Sequence, residues 1–331
     1  MSTMPLLEVN HLHVRLQTQR GPAVAVRDIG FSLERGETMG IVGESGCGKS
    51  ITVQSLMGLL PPTAKVTGSV RFDGTELVGL NESAMCGIRG NRIGMIFQEP
   101  MTALNPVHSI GDQVAEPLRL HRGLTRATAR RQAQALLERV GIPNAAARLD
   151  AYPHQFSGGQ RQRIGIAMAL ACGPDLLIAD EPTTALDVTI QKQILDLIRD
   201  LVAERGMALI LISHDLGVIA QNVSKMLVMY GGSVVESGPT AAVFAQRAHP
   251  YTRGLFAARP ALGAPRGVRL ATIPGSVPEL VDLPPGCPFA GRCSFTVDAC
   301  YSTRPPATVL AHGHEVRCIR LEEITAGEVP A

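Results

Sequence analysis

Residues 43–50 read Gly43-Glu44-Ser45-Gly46-Cys47-Gly48-Lys49-Ser50, and this octapeptide decides the fold. It fits G-x-x-x-x-G-K-[ST], the spacing of a phosphate-binding loop. Met39 to Val42 before it suits a short buried strand, and Ile51 to Leu60 after it suits a helix. The motif requires that strand–loop–helix setting. Its glycines let the backbone curl until successive N–H groups point inward at phosphate oxygens. The helix N-terminus behind them adds a favourable dipole. Lys49 brings a compact positive charge to the β- and γ-phosphates, and Ser50 offers a hydroxyl to Mg²⁺. Of 31 basic residues only four are lysines: Lys49, Lys65, Lys192 and Lys225. The site that wants a point charge rather than a planar fork has one of them. The bland alternative, a chance glycine-rich turn, weakens as further motifs accumulate.

Working outward, the 331 residues suit one large domain with an extension, or two domains. Hydrophobic residues make up 45% while aromatics are only 4% and Trp is absent, so the core must be aliphatic. A net charge of +2 leaves no electrostatic footprint for nucleic acid. No apolar run approaches the length of a membrane span. The start MSTMPLLEVN lacks a basic region followed by an apolar stretch, so no secretory signal is expected and the thiols are expected to stay reduced.

Leu6 to Leu16 and Val24 to Leu33 alternate apolar and polar residues, as half-buried strands do. Residues 66–78 resemble a strand pair turning at Asp73-Gly74, and Ile93 to Phe97 is a further strand ending at Gln98. Helical patterning dominates from about 99 to 160. Thr125 is expected to cap a helix to Val140, with Leu136, Leu137 and Val140 on one face and Gly141 as its stop. Arg119, Arg122, Arg126, Arg130 and Arg131 decorate this stretch, as a solvated helix face or as a contact with a partner or lipid headgroups. Then come a helix over Gln160–Ala171, an apolar strand over Asp175–Ala179 and an amphipathic helix over Thr189–Glu204. Ile190, Ile194, Leu197, Ile198 and Leu201 are in phase on that helix. A strand over Ala208–Ile212 and a hairpin turning at Gly231-Gly232 complete the core. Alternating strands and helices imply a mainly parallel sheet, so the fold class is α/β. Residues 260–288 are rich in Pro and Gly, and the chain from about Gly238 reads as an appended, irregular region.

A second chemical motif is Leu176-Leu177-Ile178-Ala179-Asp180-Glu181, an apolar strand ending in two adjacent carboxylates. Beside a phosphate loop, Asp180 would hold Mg²⁺, directly or through water, and Glu181 would act on the water attacking the γ-phosphate. Alone, such a pair is more often a solvated strand end; joined to Gly43–Ser50 it points to nucleotide hydrolysis.

Three further segments now fit one family. Phe156-Ser157-Gly158-Gly159-Gln160 resembles the LSGGQ signature of ATP-binding-cassette (ABC) ATPases, with Phe for the first Leu. Gln98 resembles that family's Q-loop glutamine and His214 its switch histidine. Ala185-Leu186-Asp187 resembles its D-loop. The resemblance covers about residues 6–240, with a helical insertion at about 99–160. It implies a P-loop ABC ATPase core with an antiparallel β subdomain, followed by a Cys-containing C-terminal extension over 241–331. It implies ATP as substrate with Mg²⁺ held by Ser50, Gln98 and Asp180. The nucleotide-binding stretch would be Gly43, Glu44, Ser45, Gly46, Cys47, Gly48, Lys49, Ser50 and Ile51. Glu181, His214 and Gln98 would carry catalysis. Ser157, Gly158, Gly159 and Gln160 would bind the ATP held by a second ATPase subunit, through the dipole and N–H groups of a helix start. Cys47 reads as a tolerated small residue. The family often stacks an aromatic on adenine near the position of Leu16, and none occurs before Phe31.

Phe97-Gln98-Glu99-Pro100-Met101-Thr102-Ala103-Leu104-Asn105-Pro106 resembles a stretch of ATPases that serve dipeptide, oligopeptide and related nickel importers. His249-Pro250-Tyr251-Thr252 and Ile273-Pro274-Gly275-Ser276-Val277-Pro278 resemble the C-terminal region of the same group. This implies an ATPase subunit, peripheral on the cytoplasmic face of the membrane. Its partners would be two transmembrane permease subunits, a second ATPase chain or copy and, indirectly, an external binding protein, with no nucleic acid. A nickel or other small-solute importer is the alternative within the group. A soluble cassette acting on DNA or ribosomes is the alternative outside it, but 99–156 leaves no room for a long coiled coil. A catalytically silent subunit conflicts with the intact Asp180, Glu181 and His214.

Cys287, Cys293, Cys300 and Cys318 cluster near the C-terminus. Four thiols in a reduced compartment suggest a metal site. Their spacing lacks the tight pairs of zinc ribbons. Four thiolates suit a [4Fe–4S] cluster, which the importer resemblance also implies. Structural zinc and unliganded thiols are the other readings. His312 and His314 are candidate neighbours of this site, with surface imidazoles the favoured expectation.

Overall fold

The computed structural model describes residues 4–99, 103–184, 186–258 and 272–326. Pro100, Met101 and Thr102 of the importer-like stretch, Ala185 of the expected D-loop and part of the Pro- and Gly-rich span therefore lie outside the described residues. The chain forms two compact units that do not follow its linear order.

The first unit comprises Met1–Leu6, Leu33–Thr38 and Asp73–Ile212. Its sheet holds Leu176–Asp180 between Ile93–Ile96 and Ala208–Ile212, all parallel, with Met95 opposite Ile178 and Asp180 opposite Ile212. All three strands are buried throughout, which is why each reads as an unbroken apolar run. The expected insertion is helical. Ser109 caps Ile110–Arg122 and Thr125 caps Arg126–Arg139, each hydroxyl accepting a backbone N–H three residues on. Thr125 thus does what its sequence position predicts. The buried face of its helix is Ala129, Ala133 and Leu137, with Leu136 only half-buried. Small alanines there let a neighbouring element approach closely.

Two of the arginines of this insertion are used internally. Arg130 joins Asp112 at 2.9 Å and Asp150 at 2.7 Å, and Arg122 donates to the carbonyl of Cys172 at 2.5 Å. The Val188–Arg205 helix is capped by Asp187 and buries Ile194, Leu195, Ile198, Leu201 and Val202. Asp73 and Gly74 both adopt positive φ, 49° and 78°, in the expected tight turn.

The second unit comprises Leu7–Ser32, Met39–Phe72 and Ser213–Ala331. Leu7–Thr18 pairs antiparallel with Lys65–Phe72 and lies beside Gly21–Leu33, the expected antiparallel β subdomain. In a second sheet Thr38–Val42 runs parallel to Lys225–Tyr230. Lys225–Tyr230 folds back through Gly231 and Gly232 onto Ser233–Pro239. Both turn glycines have positive φ, 53° and 76°, as the hairpin requires. Two short strands of the C-terminal region extend this sheet: Glu315–Val316 pairs with Glu236 and Ser237, and Thr308–Val309 pairs with Glu315–Val316. The region that reads as irregular in sequence is thus built onto the unit's sheet. The helix expected over Ile51–Leu60 is shorter, Lys49–Leu56, because Gly58 turns to a φ of 60°. His314 is also not at the surface. It is fully buried, with Nε2 2.7 Å from Oε1 of the equally buried Glu236.

Candidate nucleotide site

The phosphate loop lies in the second unit, between the buried strand Thr38–Val42 and the Lys49–Leu56 helix. Gly43 and Gly48 have φ of 154° and 99°. A Cβ at Gly43 would sit 2.3 Å from the carbonyl oxygen of Met229, and one at Gly48 2.7 Å from that of Ala25. Backbone packs against both positions, so glycine is required there twice over. Lys49 is 5% exposed. Its ammonium donates to the carbonyls of Gly43 at 2.9 Å and Glu44 at 3.1 Å, which draws the amine over the loop. Cys47 is buried, and burial pushes its thiol up against the pull of the Lys49 charge. It stays a protonated thiol, in keeping with a tolerated small residue.

Two residues that the sequence did not single out individually hold this loop. The hydroxyl of Tyr251 accepts the backbone N–H of Glu44 at 2.7 Å. The guanidinium of Arg292 grips the Glu44 carboxylate with both arms, Nη1 to Oε2 at 2.7 Å and Nη2 to Oε1 at 3.1 Å. Tyr251 stands in the importer-like His249–Thr252 stretch, and Arg292 stands beside Cys293. His214 in the same unit is exposed, two residues past the buried end of an apolar strand. Asp215 after it caps the following helix, accepting from the backbone N–H of Gly217 at 2.6 Å.

In the first unit the strand Leu176–Asp180 delivers a buried Asp180, 3% exposed, at its C-terminal end. Glu181 follows with a φ of 45°, a left-handed conformation that glutamate adopts only under constraint. Its Oε2 accepts from Gln98 Nε2 at 3.4 Å and from Thr184 Oγ1 at 3.1 Å. The structure thus brings Gln98 and Glu181 together, and Thr184 is a third member that no sequence motif flagged. A carboxylate aimed by two donors is fixed in direction while still able to accept a proton. Ser157 caps the Gly158–Leu170 helix in a reciprocal capping box with Gln160. The signature residues therefore form a defined helix start, whose first-turn N–H groups have no acceptor within their own helix.

Cys287, Cys293, Cys300 and Cys318 line one small cavity with Phe289, Phe295, Pro250 and Pro305. The Cys287 thiol is pushed up to about 12, by burial first and then by the other three sulfurs. Cys293 and Cys318 are raised too, again chiefly by burial. Yet among the described residues no group of three or more His, Cys, Asp or Glu side chains is placed to hold a metal ion. The expectation of an iron–sulfur cluster thus finds no preformed ion site. Thiolate ligation is coupled to deprotonation, so such a site forms together with its metal rather than before it. The donor set itself, four sulfurs around an apolar cavity with no carboxylate in its lining, fits a four-thiolate cluster in chemistry.

The profile of the ABC transporter family matches residues 26–184, and that of the oligopeptide/dipeptide transporter C-terminal region matches 235–300. A Brucella melitensis protein named for peptide import and ATP binding is 51% identical over 98% of this chain and 100% of its own length. The chain belongs to the ABC transporter ATPase family. A second ABC relative, the dipeptide transport ATP-binding protein DppD of Bacillus subtilis, is 51% identical over 95% of this chain and 94% of its own. Among solved ABC structures, the dimeric post-hydrolysis cassette MJ0796 bound to ADP and Pi matches with a TM-score of 0.64 and 27% identity. That match covers 71% of this chain and 98% of the other. Among the described residues no helix is long and apolar enough to cross a membrane.

Proposed function

We propose that this chain is the ATP-binding and ATP-hydrolysing subunit that drives import of di- or oligopeptides through a separate membrane permease. The observation that carries the reading is the pairing, on one chain, of an ABC transporter match with an oligopeptide/dipeptide transporter C-terminal match. Relatives named for peptide or dipeptide transport align along nearly the whole chain, which supports the same substrate class. The subunit would sit on the cytoplasmic face of the membrane, against two permease subunits and a second ATPase.

In this reading Lys49 and the backbone N–H groups of the loop hold the β- and γ-phosphates of ATP. Ser50, Asp180 and Gln98 are the residues that would hold Mg²⁺, whose charge would offset that of the phosphates. Glu181, aimed by Gln98 and Thr184, takes a proton from water as the water oxygen bonds to the γ-phosphorus. The bond to the β–γ bridging oxygen breaks and ADP carries the electrons away. His214 contacts the γ-phosphate. Ser157, Gly158, Gly159 and Gln160 present a helix start to the ATP of the second subunit, so each ATP is closed over by two chains. Cys287, Cys293, Cys300 and Cys318 would hold a [4Fe–4S] cluster as thiolates.

Purification of the tagged chain from detergent-solubilised membranes tests the assembly. The reading expects polytopic permease subunits and an ABC ATPase to co-purify. Retention on ribosomes or DNA without any membrane protein would reject it.

A further inference from the structure

Every polar group of Glu44 is engaged. Its N–H is taken by Tyr251, its carbonyl accepts from Lys49 and from the backbone N–H of Cys47 at 3.3 Å, and its carboxylate lies in the fork of Arg292. Two of these partners come from the C-terminal region, 207 and 248 positions away in sequence. Both are themselves immobilised. Tyr251 is fully buried and packs edge-on to Tyr230 with ring centroids 4.7 Å apart, while Phe289 packs on both rings. The Arg292 side chain is 6% exposed. It also donates to the carbonyls of Ile273, Pro274 and Gly275 and to the Tyr230 hydroxyl. A planar fork with all its donors directed in this way has one orientation available.

We infer that Tyr251 and Arg292 are positioning residues for ATP binding: they fix Glu44 and thereby hold the phosphate loop in its binding shape before nucleotide arrives. The physical argument is preorganisation. Loop N–H groups converge on a phosphate only while residues 43–48 keep their curl, and any ordering left until binding is subtracted from affinity. Glu44 sits where the chain enters that curl. If it swings away, Lys49 loses a carbonyl that aims its ammonium. The C-terminal region is then a working part of the nucleotide site rather than an appendage to it. The inference rests on the phosphate loop being that site, and the test separates the two claims.

The test measures binding of a fluorescent ATP analogue to the full-length chain, with thermal midpoints for every variant and KM and kcat for ATP in the assembled complex. Tyr251→Phe removes one hydroxyl and keeps the ring packing. Arg292→Lys keeps the charge and loses the fork. Each is expected to weaken ATP about five-fold or more through the unmade hydrogen bonds. The loss should fall on KM more than on kcat, with the thermal midpoint little changed in Tyr251→Phe, a split that general destabilisation does not produce. Glu44→Gln combined with Arg292→Lys should cost no more than the worse single change, because both break one contact. Wild-type affinity in both Tyr251→Phe and Arg292→Lys, alongside lost binding in Lys49→Ala, would overturn the inference and leave the nucleotide site standing. Binding retained in Lys49→Ala would overturn the site and the inference with it.

Discussion

Gln98 Nε2 lies 3.4 Å from Glu181 Oε2, joining the residue just before the helical insertion to the carboxylate that follows the central strand of its unit. Glu181 holds a left-handed φ of 45° to be there. Such strain persists where surrounding contacts over-determine it, and here they include Gln98, Thr184 and the carbonyl of Ile212, which accepts the Glu181 N–H at 3.1 Å.

Glu181→Gln should keep that shape and lose the base. Phosphate release is expected to fall about 100-fold or more, the usual scale of a general base, while ATP affinity stays near wild type. Steady-state hydrolysis and equilibrium binding on the same preparation check this. Wild-type turnover would remove Glu181 from the role.

Thr184→Ala takes one of the two donors from the Glu181 carboxylate. A several-fold drop in kcat with little change in KM is expected, since the contact would orient the proposed base rather than the nucleotide. Thr184→Ser, which keeps the hydroxyl, should restore most of the rate. Equal losses in both variants would mark a packing effect instead.

The four-sulfur cavity makes a prediction about metal. Anaerobic purification should give a brown protein with iron and sulfide in cluster stoichiometry, and Cys293→Ser should bleach it. A colourless protein containing zinc, or no metal, would reject the cluster. Chelation in a loaded sample should lower the thermal midpoint, because metal bound only by the folded chain stabilises it.

Acid stability follows from Asp73. Its carboxyl is held below the usual range first by the hydrogen bond from Arg92, against a smaller opposing effect of burial, with Arg35 adding to it. A depressed folded-state value contributes stability above the unfolded-state value. That contribution is lost as pH falls through the folded one. Asp73→Asn should therefore destabilise at pH 7 and cost less at pH 3, below the unfolded-state value. Solvent screens these partly exposed pairs, so the cost should not exceed about 1 kcal/mol. Denaturant melts at the two pH values measure it; an equal cost at both would contradict the assignment.

What the sequence made legible was local chemistry. The curl of Gly43–Ser50, the Thr125 cap and the Gly231-Gly232 turn depend on residues within a few positions, and the structure has all three. The strand ending in Asp180 was readable because burial on both faces demands an unbroken apolar run. Tyr251 and Arg292 were not identifiable as loop partners. Their roles arise from contacts that span most of the chain, and neither residue type carries a signal of what it touches. The early end of the Lys49–Leu56 helix was missed because helical patterning runs past Gly58. The two short C-terminal strands are each two residues long, too short for a period of two to show.

ATP turnover at this site is proposed to drive peptide import. The most direct test is uptake of labelled di- and oligopeptides into proteoliposomes holding the complex co-purified with this chain, supplied with binding protein and with ATP on the cassette side. ATP-dependent accumulation is expected, falling to background when the complex carries Glu181→Gln. No accumulation of any peptide by a complex that hydrolyses ATP, or accumulation unchanged by Glu181→Gln, would contradict it.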